Sequence, residues 1–189
     1  MADQQELSEQ LPKLKYGFRT AIVIFVSEIV WGTQRATSPS PDAGGYAAAI
    51  AFAAELLGAA YILHCIATYH IVLAKVDGWK HPITAKQAVR FHFIPFFNLY
   101  WNYKWPYEIA RFVNWRMQKH RMWGFVAGTV VLVGYLVGIF LGGVLGLIAV
   151  LSGFAYISRC LRDAFAAPPV PEEMHITSNL DAAVLAIKD

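Results

Sequence analysis

MWGFVAGTVVLVGYLVGIFLGGVLGLIAVLSGFAYISRCL, residues 122–161, contains no Asp, Glu or Lys and no Arg before Arg159. An apolar run of this length exceeds the core helix of a soluble domain. A bilayer core of about 30 Å needs about 20 helical residues, so one straight helix through the run would project beyond both faces. A hairpin turning near Gly142 and Gly143 fits better and gives spans over 122–141 and 144–162. The fold class expected from this stretch is an all-α integral membrane protein.

The rest of the chain agrees with that class. Of its 189 residues 57% are hydrophobic and only 15% charged, against roughly a quarter charged in soluble proteins. The formal charge is +3, and the basic residues are clustered. In a membrane protein such clusters report orientation and contact with anionic lipids rather than nucleic acid. Cys65 and Cys160 lie in apolar segments outside any metal or redox spacing and read as small buried hydrophobes. Residues 1–15 form a polar N-terminal segment. A first span over 16–33 reads as a retained helix, because Glu28 interrupts it and no clear A-x-A cleavage site follows. The Ser, Pro, Asp and Gly of 34–45 make a loop, and 46–74 forms a second span, apolar on most faces.

Lys75, Lys80, Lys86 and Arg90 precede an aromatic stretch at 91–101, and Lys104, Arg111, Arg116, Lys119 and Arg121 follow it. Positive residues favour the cytoplasmic side. Only thirteen residues separate Arg90 from Lys104, too few to span as a helix, and both flanks prefer the same side. Residues 88–121 are therefore expected to be a re-entrant or interfacial segment. Pro95 breaks a regular helix, Arg90, His92, Trp101, Trp105, Arg111 and Arg116 meet lipid at headgroup depth, and a cytoplasmic amphipathic helix follows Pro106 over 107–121. Four spans result within a membrane domain of 16–165, with both termini cytoplasmic and the 34–45 loop outside. The alternative of five spans, with 91–107 crossing on a tilt, puts one basic cluster outside, against the bias. Residues 166–189 are a Pro-rich linker and a tail with Leu180, Val184, Leu185 and Ile187 on helical spacing.

Ala88-Val89 followed by Phe93-Ile94-Pro95-Phe96-Phe97-Asn98-Leu99-Tyr100-Trp101 resembles the A-V-x-F-x-F-I-P-F-F-N-L-Y-W signature of an uncharacterised family of bacterial multi-pass membrane proteins. In that family a short polar helix and two apolar segments follow the motif, an order similar to the one here. The resemblance implies a bacterial inner-membrane location and carries no activity. Arg90 and His92 stand where the family has Gly and Leu.

Ionisable residues inside membrane helices cost about 2.5–3.5 kcal/mol on insertion scales, which singles out Glu28 and Glu55. Their comparable depths allow them to face each other. They read either as a proton or cation site, two carboxyls sharing one proton, or as protonated groups bonded to neighbouring helices. His64 and His70 are candidate axial ligands for haem or a pigment, with His64 preferred. Six residues apart on a helix, the two rings look into different neighbours. No metal-ligand cluster is present in the sequence. Gly134, Gly138, Gly142 and Gly146 recur every four residues and suit close helix approach, either within the hairpin or against another subunit. No P-loop, nucleophile elbow or dinucleotide turn occurs, so the expected function is non-catalytic. It is an accessory or assembly subunit of a larger bacterial inner-membrane complex, docking through the Gly-rich helices and the aromatic interfacial segment, without a cofactor, and its partners are anionic lipids and other membrane subunits or further copies of itself. A proton- or ion-coupled transporter built on Glu28 and Glu55 is the alternative, and a haem- or pigment-binding subunit is a further one.

Overall fold

The computed structural model describes residues 4–37, 45–141 and 143–168. Gly142 and the C-terminal tail with its apolar repeat lie outside the described residues. Within them the chain is all-helical: α1 (Gln4–Glu9), α2 (Lys15–Thr37), α3 (Gly45–Ala74), α4 (Ala85–Arg90), a 3-10 turn at Phe91–Phe93, α5 (Phe97–Met117), α6 (Gly124–Leu141) and α7 (Gly143–Ala166). Two helices are long and apolar enough to cross a membrane, over Ala48–Ala74 and Gly143–Ala166. A third apolar stretch, Gly124–Phe140, is shorter.

α6 and α7 pack as the hairpin expected from the sequence, and glycine makes the crossing possible. A Cβ built on Gly146 would collide with the Cα and backbone nitrogen of Gly138 and come within 2.9 Å of the Gly134 carbonyl oxygen. On Gly134 it would lie 2.8 Å from the Val150 nitrogen. Backbones that approach this closely gain dispersion contacts along the whole seam, which is how helices associate without a hydrophobic drive.

α5 runs antiparallel to α6 on its other side. Tyr107 packs on Gly124, Tyr103 on Gly128, and the Asn98 amide donates to the Tyr135 hydroxyl at 2.6 Å. Here the structure departs from the sequence reading. Pro106 does not open a helix at 107; it lies inside α5, which begins at Phe97. Proline removes one i to i−4 bond and crowds the preceding turn, yet Trp105, Pro106, Ile109 and Ala110 are buried, so packing against neighbouring helices outweighs the local penalty. Helix α5 starts after a sharp reversal in which Phe96 takes φ 62°, a left-handed conformation costly for a bulky residue.

Below this seam lies an aromatic core. The Tyr69 ring stacks on Trp105 at 6.2 Å and meets Phe154 edge-on at 5.8 Å. Its hydroxyl donates to the Phe154 carbonyl at 3.2 Å and shares a 2.6 Å hydrogen bond with Ser158. Leu7 and Leu11 from the N-terminal segment close the same core. Asn114 ties α5 to α6, accepting from the Arg121 and Met122 nitrogens at 2.8 Å each and donating to the Met122 carbonyl at 2.9 Å. A capping box at Thr84 and Gln87 starts α4, and Gly78 at φ 75° supplies the turn before it.

The opposite half of the bundle is built differently. Ile22, Phe25, Val26 and Ile29 on α2, Phe52, Leu56 and Leu57 on α3, and Phe125, Phe140 and Ile148 on the hairpin are all exposed large apolar residues. Water would penalise such a surface by roughly 25 cal/mol per Å², whereas lipid would not.

Candidate functional site

Two polar constellations stand out against this apolar frame. The first joins Glu28 of α2 and Glu55 of α3, which lie within electrostatic range of each other. Glu55 is on an exposed side of α3, with its Oε1 against Gly143, where an added Cβ would sit 2.8 Å away. It opens onto a crevice of about 200 Å³ between α2, α3, α6 and α7, lined also by Tyr135, Gly58, Gly138 and Gly146. Helix direction and residue counting put the two carboxyls at comparable depth, able to face each other. The crevice beside them was not legible in the sequence, because it depends on glycines of four different turns coming together.

The second constellation lies where α3 ends and α4 and α5 pass it. His70, fully buried, and His81 share a hydrogen bond of 2.6 Å between Nδ1 and Nε2. The Trp79 indole donates to His81 Nδ1 at 3.3 Å. An indole N–H can only donate, so His81 Nδ1 accepts, its proton sits on Nε2, and His70 receives that proton's bond at Nδ1. Neutral His70 then carries its own proton on Nε2, a buried atom with no hydrogen-bond partner among the described residues. His92 Nδ1 donates to the Ala88 carbonyl at 2.8 Å, and the buried Trp105 indole N–H has no hydrogen-bond partner among the described residues. Nearby, Asn102 donates to Asn98 Oδ1 at 2.6 Å. Glu108, 4% exposed, holds Lys104 at 2.7 Å and Arg111 at 2.9 Å.

Electrostatics follows from burial. The His81 imidazole is pushed down to about 4 by burial, against the opposing pull of Glu108. Burial alone would raise the Glu108 carboxyl, but the Lys104 hydrogen bond and the Arg111 charge outweigh it and leave the group below its ordinary value. A histidine whose folded value lies below its unfolded 6.5 favours the fold fully above pH 6.5, and that contribution is lost as pH falls toward about 4. We expect the thermal midpoint of the purified protein to drop between pH 7 and pH 5, and His81→Gln to flatten that drop. An unchanged slope in the variant would place the acid sensitivity elsewhere.

The residues selected from the sequence distribute unevenly. His64 is exposed on α3, with its ring 6.3 Å from Tyr61, while His70 is the buried one. Trp101, Trp105 and Arg116, expected at the lipid interface, are buried in the protein at 3%, 0% and 6% exposure. Trp101 donates to the Ala88 carbonyl at 2.8 Å, and Arg116 to the Ala167 carbonyl at 3.0 Å. The reason is that these positions lie on the packed side of α5, where Trp105 meets Tyr69 of α3 and Phe154 of α7, while Tyr100 and Arg111 on the same helix stay exposed. Arg90 and Arg111 are exposed as expected, and His92 is half-buried. The His70 and His81 pair escaped sequence reading, since a spacing of eleven residues across a loop matches no ligand motif. Among the described residues no group of three His, Cys, Asp or Glu is arranged to hold a metal ion.

In comparisons with known proteins, no family model, curated protein or solved structure matches the chain.

Proposed function

We propose that the chain is a four-span membrane protein of a bacterial inner membrane, with a re-entrant hairpin formed by α4 and α5. Its proposed role is that of a non-catalytic subunit docking through α2 and α3 onto a larger membrane complex. Length supports α2 and α6 as spans beside the two apolar helices: 23 and 18 residues correspond to about 34 and 27 Å at 1.5 Å per residue. Register supports the re-entrant reading. Tyr135 lies eleven residues above Gly124, about 16 Å of rise, and Asn98 at the start of α5 bonds it there. With α6 as a span, the turn before α5 would reach about half the depth of a bilayer core and go back, and Phe93 and Phe96 at its apex are exposed.

The observation that carries the docking role is Glu55 on the exposed side of α3. Only 28% of the most apolar window of α3 is buried, against 61% for α7. A carboxyl turned to lipid is expensive, and a covering helix able to hydrogen-bond it removes the cost. Gly134 and Gly146 are already engaged between α6 and α7, and the α2 and α3 face, unlike the exposed side of the hairpin, carries carboxyls that a partner would cover. A photo-crosslinking residue at Leu56 should therefore trap one stoichiometric membrane polypeptide, while the same residue at Phe125 traps none. Cross-linking at Leu56 only to another copy of this chain would favour the second reading, a proton-coupled homo-oligomer in which Glu28 and Glu55 share a proton beside the Tyr135 crevice. A haem- or pigment-binding role through His64 is the third, read directly from a visible spectrum.

A further inference from the structure

α1 is held in place by buried side chains rather than by its own length. Leu7 and Leu11 enter the core, the Tyr61 hydroxyl donates to the Lys13 carbonyl at 2.8 Å, and Lys75 donates to the Gln10 side chain at 2.7 Å. Between this anchored segment and the end of α7 opens a cleft of about 620 Å³. Its charged lining is Lys13, Lys15, Arg162 and Glu9, three cations against one carboxylate. The three cations are exposed and make no ion pair among the described residues. Just above the cleft, Tyr16 and then Ile22 begin the exposed apolar face of α2.

We propose that this cleft binds the phosphate headgroup of an anionic phospholipid, whose acyl chains continue along the exposed side of α2. The assignment rests on the four-span reading, which puts the start of α2 and the end of α7 together at cytoplasmic headgroup depth. Three cations lining one cleft offer charge-assisted hydrogen bonds to phosphate oxygens, and an anionic leaflet supplies the complementary charge at that depth. The apolar wall beside the cleft selects a lipid over a free anion, because a soluble phosphate gains nothing from it.

The test uses the full chain in phosphatidylcholine vesicles that carry a trace of spin-labelled phosphatidylglycerol or of spin-labelled phosphatidylcholine, and compares the motionally restricted fractions. Wild type should prefer the anionic label by roughly ten- to thirtyfold, as the net charge of about two left after Glu9 implies. Lys13→Gln, Lys15→Gln and Arg162→Gln combined should reduce the preference to about twofold or less. A charge-matched control, Lys80→Gln, Lys86→Gln and Lys119→Gln, should keep it. Equal losses in the two triple variants would overturn the site in favour of net charge alone. Displacement of the label by millimolar inorganic phosphate would make it a soluble-anion site. A preference that appears only after removal of residues 169–189 would assign the cleft to the acidic tail, which carries Glu172 and Glu173. Extraction of the wild-type protein by alkaline carbonate would instead defeat the membrane reading itself, and the lipid site with it.

Discussion

Gly146→Ala is expected to be severely destabilising, whereas Gly138→Ala, eight residues away in the same four-residue series, is expected to be mild. The asymmetry comes from where each Cβ would point. On Gly146 it would run into the Gly138 backbone, which has no rotamer with which to move aside. On Gly138 it would rest 3.4 Å from the Gly146 Cα, an ordinary contact. Overpacking typically costs about 1–3 kcal/mol and more where nothing can yield, so Gly146→Ala should remove a large part of a total stability of about 5–15 kcal/mol. Gly32→Ala, which meets nothing within 4 Å, should stabilise α2 by about 0.5–1 kcal/mol. Thermal midpoints from fluorescence-detected size exclusion in mild detergent would rank the three variants. Equal tolerance at positions 146 and 138 would mean that α6 and α7 do not cross where the glycines meet.

The second expected result is all-or-none. A cysteine at Gly45 should be labelled by a membrane-impermeant maleimide from outside intact cells, and a cysteine at Lys119 only after the membrane is opened. Gly45 is the first residue of α3 and has open space around its Cα, while Lys119 is exposed just beyond α5. The native Cys65 and Cys160 are buried, so background labelling should be small. With an even number of crossings between the two ends of the basic region, Arg90 and Arg121 remain on the side of Lys119. Labelling of Lys119→Cys from outside in sealed cells would reject the four-span, re-entrant arrangement and restore the five-span alternative.

Much of the fold was legible because lipid and water impose one-dimensional constraints. The run at 122–158, free of Asp, Glu, Lys and Arg, favours helices with their backbone groups bonded internally, as an apolar surrounding requires. The all-helical outcome and the turn between α6 and α7 follow from that. The isolation of Glu28 and Glu55 in apolar segments was likewise visible, because the cost of a charge depends on the local run of residues and not on who packs beside it. Position along the chain also put the two carboxyls at comparable depth.

What the sequence could not decide is which side of a helix packs inside the protein and which stays exposed, since large apolar residues occupy both. Trp101 and Trp105 are of a type at home at headgroup depth, yet tertiary packing buries them against Phe91 and against Tyr69 and Phe154. Pro106 signals a helix start by its own chemistry, but the helices enclosing α5 carry the chain through it. His64 and His70 are equivalent by residue type, and only the return of the chain at His81 and the passage of α5 at Trp105 distinguish the buried one. The glycine series looked uniform for a related reason. A four-residue spacing fixes that the residues share a face, while the angle and offset of the partner helix decide that Gly146 touches backbone and Gly138 does not.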